Sequence, residues 1–326
     1  MNRKRVAGLF MACLFLVACS RTGGGSSGAP SAGGGGATAS GGAAGGGGAS
    51  TIGLALSTLN NPFFVTLRDG VQSKASSLGL QVQVADGQDT LSTQLGQIED
   101  FITKKVGVII VNPVDSDGIV PAVQKANQAN IPVIAVDRAA NGGTLASFIA
   151  SDNVQGGKIA GDQLVKLVQS GNVIQLEGVP GTSAARDRGQ GFMQAIQGQS
   201  AVKVVASQPA NFDRATALNV AQNILQAHPD IKGVFAQNDE MALGAVQAID
   251  AAGKGGQITV VGFDAIPDAL MAIEQGKMAA TIAQQPKVMG ETAAQTAKDL
   301  LGGKQPPKDQ PIEVKLVTKD NVSQFK

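Results

Sequence analysis

The chain has 326 residues, 43% of them hydrophobic, with 26 bases against 25 acids for a formal net charge of +1. That length suits about two domains with cores of their own. Discounting Arg3, Lys4 and Arg5 at the start leaves a net of −2 for the remainder, which lacks the basic excess of a nucleic-acid surface.

Residues 1–18 read as an export leader. A basic start at Arg3–Arg5 precedes the apolar stretch Val6–Ala18, which is short for a membrane span. Leu16-Val17-Ala18-Cys19 is similar to a bacterial lipobox, which predicts cleavage before Cys19 and lipidation of that residue. Cys13 falls inside the leader, so the mature chain keeps one thiol and no disulfide framework. Residues 20–49 hold 14 glycines with Ser, Ala and Thr, a composition without an apolar face. They predict a flexible tether running from Cys19 to residue 49, with a reach of roughly 30 Å.

From Thr51 onward, strands and helices alternate. Strands are expected near 51–57, 80–85, 106–111, 132–136 and 146–150, then near 172–177, 202–207, 232–237, 258–262 and 279–283. Helices are expected over Gln94–Lys105, Ile119–Gln128, Val154–Val168 and Thr216–Ala227, with a late helix at Val288–Leu301 and a final strand at Ile312–Val317. The order implies an α/β fold of parallel sheets covered by helices, and ten strands divide more readily into two similar lobes than into one sheet.

The apolar strands share an ending. I-P-V-I-A-V runs into Asp137-Arg138, V-G-V-I-I-V into Asn112, G-V-F-A-Q into Asn238-Asp239, and I-T-V-V-G into Phe263-Asp264. Charged and amide groups at the tips of buried strands are costly unless they are used. In open α/β sheets, ligands bind beyond the carboxyl ends of the strands. These tips therefore predict one site for a small, uncharged, hydroxyl-rich ligand.

Asn61 before Pro62 reads as a helix cap with proline at the first helical position, a role compatible with ligand contact. Phe63 and Phe64 offer flat apolar rings beside it. Asp137 and Arg138 read either as ligand groups or as an ion pair between lobes; strand alternation sets them on opposite sides, which argues against their pairing with each other. The loop G-V-P-G-T-S-A-A-R-D-R lacks the lysine of a phosphate-binding loop, and Thr182 or Ser183 can cap its helix. Arg186 and Arg188 lie two apart, so only one of them can face a cleft. Gly156, Gly157 and Gly161 read as close packing. The single His228 has no second His or Cys to complete a metal site or a catalytic triad, so no metal, cofactor or catalytic residue is expected. Asp137 with Asp264 as a glycosidase pair is the enzymatic alternative.

S-T-L-N-N-P-F-F, I-P-V-I-A-V-D-R, I-A-S-D-N-V, G-T-S-A-A-R-D-R-G, F-A-Q-N-D-E-M-A-L-G-A and V-V-G-F-D together resemble the bacterial periplasmic ribose-binding proteins, over about residues 51–318. The resemblance implies the type I periplasmic binding protein fold: two Rossmann-like lobes joined by a three-stranded hinge. It implies a first lobe of residues 51–151 plus 285–313 and a second of 152–284 plus 314–326. The hinges map near Ser151-Asp152, Gln284-Gln285 and Glu313-Val314.

It further implies ribose contacts at Ser57, Asn61, Phe63, Phe64, Asn112, Asp137 and Arg138 from one lobe. The other lobe supplies Arg188, Phe212, Asn238, Phe263 and Asp264, with Gln284 from a hinge; this selects Arg188 over Arg186. The implied role is capture of a monosaccharide and delivery to an ABC-type membrane permease, by a monomer outside the cytoplasm that touches the membrane only through its lipid. Allose or another sugar as ligand, and a chemoreceptor or sensor kinase as recipient, are the alternatives within that class. Ala265-Ile266 departs from the Gly-Thr that often follows the Phe-Asp pair in this family.

Overall fold

The computed structural model of the protein describes residues 50–325. The leader, Cys19 and the tether lie outside the described residues. In chain order the first run of elements is β1 (Thr51–Leu56), α1 (Pro62–Ser77), β2 (Gln81–Asp86), α2 (Leu91–Thr103), β3 (Val108–Val111), α3 (Val120–Gln128), β4 (Val133–Val136) and β5 (Ser147–Ser151). The second is α4 (Asn153–Val168), β6 (Gly171–Glu177), α5 (Ser183–Ile196), β7 (Val202–Pro209), α6 (Arg214–Ala227), β8 (Ile231–Ala236), α7 (Asp239–Ala251), β9 (Thr259–Val261), α8 (Pro267–Glu274) and β10 (Ala280–Ala283). The chain ends with α9 (Pro286–Leu301), β11 (Asp309–Ile312), β12 (Lys315–Thr318) and a 3₁₀ turn at Val322–Phe325.

These elements make two six-stranded sheets, ordered β11-β5-β4-β3-β1-β2 and β12-β10-β9-β8-β6-β7. Every pairing is parallel except that of β12 with β10. Parallel pairing needs crossover helices, and these cover both faces. Accordingly β3 (VIIV) and β4 (VIAV) are buried at every residue. Apolar clusters lie on both sides of each sheet, for example Leu54, Ile110 and Ile134 on one side of the first sheet against Ile109, Val111 and Val133 on the other.

Both sheets reverse strand order beside their first strand, at β1/β3 and at β6/β8. Such a reversal leaves a crevice at the carboxyl ends of the strands, where the two loops leave in opposite directions. Side-chain caps fix where the helices begin there. Asn61 Oδ1 accepts from Phe63 N at 2.9 Å, and Asn238 Oδ1 accepts from Met241 N at 2.9 Å. Thr182, one of two cap candidates, is the residue that caps α5.

The three glycines of α4 pack as expected. A methyl group on Gly157 would stand 2.1 Å from the Arg188 carbonyl oxygen, and one on Gly161 would stand 2.6 Å from Ala195 Cβ. This contact sets α5, and with it Arg188, directly against α4.

The expected single strand Ile312–Val317 is instead two strands in different sheets. Ile312 pairs with Ser151 of β5, whereas Lys315 pairs with Ala283 of β10. The alternation of apolar residues reads straight through the sequence, but the partners on either side of Glu313-Val314 belong to separate sheets. The chain therefore passes between the two sheets three times: after β5, after β10, and between β11 and β12.

Candidate ligand-binding site

The first half of the site is built on the tips of β1, β3 and β4, which one buried amide ties together. Asn112 Oδ1 accepts from Ser57 N at 3.2 Å, and its Nδ2 donates to Val136 O at 3.2 Å and to Asp137 Oδ2 at 3.1 Å. Gln94 holds Asn112 in turn, donating to its carbonyl oxygen at 2.8 Å. Asn112 is thus a brace for Asp137.

Asp137 and Arg138 correct the expectation drawn from strand alternation. Asp137 has φ +61°, and Arg138 N donates back to Val136 O at 2.6 Å. This left-handed turn follows directly on Val136, the last residue of β4, and swings both side chains to the same side, with Arg138 Nε 3.7 Å from Asp137 Oδ2. The guanidinium also donates to Pro113 O at 3.2 Å and lies over the rings of Phe64 (5.3 Å) and Phe212 (5.4 Å). Its Nε is buried and donates to no protein acceptor, and Ser57 Oγ is likewise buried without a partner.

The second half is arranged around Arg188. Nε donates to Asn153 Oδ1 at 2.8 Å and Nη1 to Gln237 O at 2.7 Å, while Asp264 Oδ1 stands 3.8 Å from Nη1. The guanidinium is stacked 3.9 Å above the Phe263 ring. Phe263 is therefore the floor on which Arg188 rests. Arg186 is exposed and pairs with Asp187.

Phe212 enters on a loop in which both Asn211 and Phe212 have positive φ, +57° and +58°. Its ring fills the place a side chain at position 178 would need, since a methyl on Gly178 would stand 2.0 Å from Phe212 Cζ. Gln284, just past β10, donates to Asp264 Oδ1 at 2.6 Å and accepts from Ser151 Oγ at 2.7 Å. Both Gln284 and Ser151 sit where the chain crosses between the sheets.

The two halves meet. Ser116 N donates to Gly181 O at 3.1 Å, Ser183 N to Ser116 Oγ at 3.2 Å, and Ala139 N to Ser183 Oγ at 2.8 Å. Between them lies a small pocket. It is lined from the first half by Asn61, Phe63, Phe64, Asp137 and Arg138, and from the second by Ala184, Arg188, Phe212, Asn238 and Asp264, with Gln284.

Ten of the expected site residues thus surround one space. Ser57, Asn112 and Phe263 stand behind it, bracing Asp137 and Arg188. Sequence reasoning missed Ala184, which carries no polar signal, and the Ser116–Ser183 contact. Ser183 had been a cap candidate, but its hydroxyl reaches the other half.

The electrostatics are balanced. Burial, only partly offset by Arg138, Arg188 and Asn112, raises the Asp137 carboxyl above its ordinary range. Burial likewise pushes Asp264 up to about 7 despite Arg188 and Gln284. The same burial lowers both guanidinium groups. Two guanidinium groups beside two carboxyl groups balance one another in formal charge, while offering donors and acceptors to hydroxyls and rings to apolar faces. Among the described residues, no group of three or more His, Cys, Asp or Glu side chains could hold a metal ion, and no helix is long and apolar enough to cross a membrane.

Residues 52–305 match the family described as periplasmic binding protein domain. The ribose import binding protein of Escherichia coli (strain K12) is 51% identical over 270 residues, covering 82% of this chain and 90% of that protein. A periplasmic solute-binding protein of Actinobacillus succinogenes, solved with bound D-allose, superposes with a TM-score of 0.79 at 36% identity, covering 84% of this chain and 99% of the other. The Caulobacter myo-inositol binding protein, solved with myo-inositol, gives a TM-score of 0.82 at 33% identity, with coverages of 87% and 98%. The paired sheets, their three connections and these likenesses agree: the chain belongs to the periplasmic binding protein family and has its type I fold.

Proposed function

We propose that this protein is an extracytoplasmic solute-binding lipoprotein that captures D-ribose between its lobes and hands it to an ABC-type importer. The observation that carries the reading is the cavity itself. It places two Asp–Arg pairs, balanced in formal charge, and three phenyl rings, Phe63, Phe64 and Phe212, around one space. Asp137 and Asp264 accept from sugar hydroxyls; Arg138, Arg188, Asn61 and Gln284 donate to its oxygens; the rings cover its C–H faces. Charge-assisted hydrogen bonds contribute about 1.5–3 kcal/mol each, so a few suffice for roughly micromolar affinity, which corresponds to about 8 kcal/mol.

Binding is coupled to closure because the contacts come from both lobes. A ligand favours a conformation only by its differential affinity for it, and these contacts exist together only when the lobes meet. The lobes are residues 51–151 with 285–313, and 152–284 with 314–326, turning about Ser151-Asp152, Gln284-Gln285 and Glu313-Val314. Each carboxyl group already faces a guanidinium, an arrangement suited to holding a neutral ligand. In this reading the protein is a monomer and not an enzyme, and lipidated Cys19 tethers it to the membrane where the importer sits.

The D-allose-bound relative supports D-allose as a second ligand. Calorimetry of the mature protein against D-ribose, D-allose and myo-inositol tests the reading. D-ribose should bind tightest, one per chain; heat from none of them would refute it.

A further inference from the structure

Asp239 is fully buried, yet it does not line the cavity. It is the first residue of α7, directly after the capping Asn238. Its Oδ1 accepts from Thr281 Oγ1 of β10 at 2.7 Å, and its Oδ2 accepts from Ile266 N at 3.0 Å. Thr281 Oγ1 also accepts from Ala265 N at 3.4 Å. A methyl group at position 262 would stand 2.2 Å from Asp239 Oδ1, so glycine there leaves room for the carboxylate.

The segment so held is unusual. Asp264 has φ +123° and Ala265 φ +61°, two consecutive non-glycine residues in conformations that L side chains rarely adopt. Strain of this kind persists only where surrounding contacts over-determine it. Asp239 and Thr281 are those contacts, and the residue they constrain carries the carboxylate that meets Arg188 and Gln284 in the cavity.

We infer that Asp239, with Thr281, is a positioning residue that holds the 264–266 loop in its strained path and thereby aims the Asp264 carboxylate at the ligand. The inference deepens the sugar-binding reading above and rests on it for its ligand. Burial, then the neighbouring Asp264 charge, push the Asp239 carboxyl well above the ordinary range, so the arrangement opposes stability. A group kept at such a cost fits a role in placement.

The test measures two quantities in wild type, Asp239→Ala, Asp239→Asn and Thr281→Val: D-ribose affinity by calorimetry, and amide hydrogen exchange at Ile266 without ligand. Asp239→Ala should lose at least tenfold in affinity and expose the Ile266 amide. Asp239→Asn, whose Oδ1 can still accept from that amide, should recover most of both, with Thr281→Val between. Recovery in the conservative Asp239→Asn variant separates placement of the loop from a need for the carboxylate's charge.

Wild-type affinity with wild-type Ile266 protection in Asp239→Ala would overturn the inference. If Asp239→Ala does not fold, unchanged affinity and exchange in Thr281→Val would do the same. Should wild type itself give no heat with D-ribose, the sugar reading fails, while Ile266 exchange still decides whether Asp239 positions the loop.

Discussion

The two halves of the site present the same pair, a carboxylate beside a guanidinium, but secure it differently. In the first half Asp137 is braced from within its own sheet, by an Asn112 amide that also fastens the tips of β1 and β4. In the second, Asp264 hangs on a strained loop, and its direct side-chain tie runs through Gln284 to Ser151, both at crossings between the sheets. The first half is thus a platform held within one sheet, whereas the second is tied to two of the crossings between the sheets. In the proposed reading the crossings are a hinge and closure needs both: one face to collect the ligand, one whose geometry is completed as the lobes meet.

Breaking the platform should have the largest effect. Arg138→Ala removes a charged donor and leaves Asp137 buried without its cation, so D-ribose affinity should fall about 100-fold, the upper range for one charge-assisted bond. Calorimetry checks this, with a melting curve to establish that the variant is folded. Unchanged affinity would remove Arg138 from the site.

Cutting the tie to the hinge should cost less. Gln284→Leu separates Asp264 from Ser151 while Arg188 remains beside it, so affinity should drop about tenfold. Ser151→Ala cuts the same tie and leaves the pocket lining intact; it should bind as wild type only if the two halves are secured alike, by contacts within each lobe alone. Ser183→Ala removes the hydroxyl that accepts from Ala139 across the lobes and should weaken binding about fivefold, in line with one neutral hydrogen bond. Small-angle scattering should show the same variant less closed at subsaturating sugar.

The pH dependence of stability sharpens the contrast in a different way. Asp264 is raised to about 7 in the folded protein against 3.8 for the free side chain. Between those values the folded chain binds the extra proton, so stability is lost as pH rises through that window. Asp264→Asn escapes this loss. Its melting temperature should exceed that of wild type above pH 7, and the two should converge near pH 4. The smallest effect belongs to Ala265→Gly, which relieves a left-handed alanine and should raise the melting temperature by about 2 °C.

Much of this was legible in the sequence, for identifiable reasons. Buried parallel strands write themselves as uninterrupted apolar runs, so Val108–Val111 and Val133–Val136 stand out, and the polar residues that end them mark the sheet edge. Asn61 before Pro62 marks a helix start whatever lies around it. What could not be read were features decided by long-range pairing or by single backbone angles. The break between β11 and β12 depends on which sheet each strand joins. The Asp137 turn depends on one positive φ at a residue that is not glycine, and that angle reverses the prediction made for Arg138. Asp239 was only the neighbour of a predicted contact, because its partners Ile266 and Thr281 lie 27 and 42 residues away.

The account is tested most directly by a crystal structure of the mature protein grown with D-ribose. It predicts one sugar between the lobes, its hydroxyls bonded to Asp137 and Arg138 on one side and to Arg188 and Asp264 on the other. A sugar held by one lobe alone, or bound anywhere else, would contradict it.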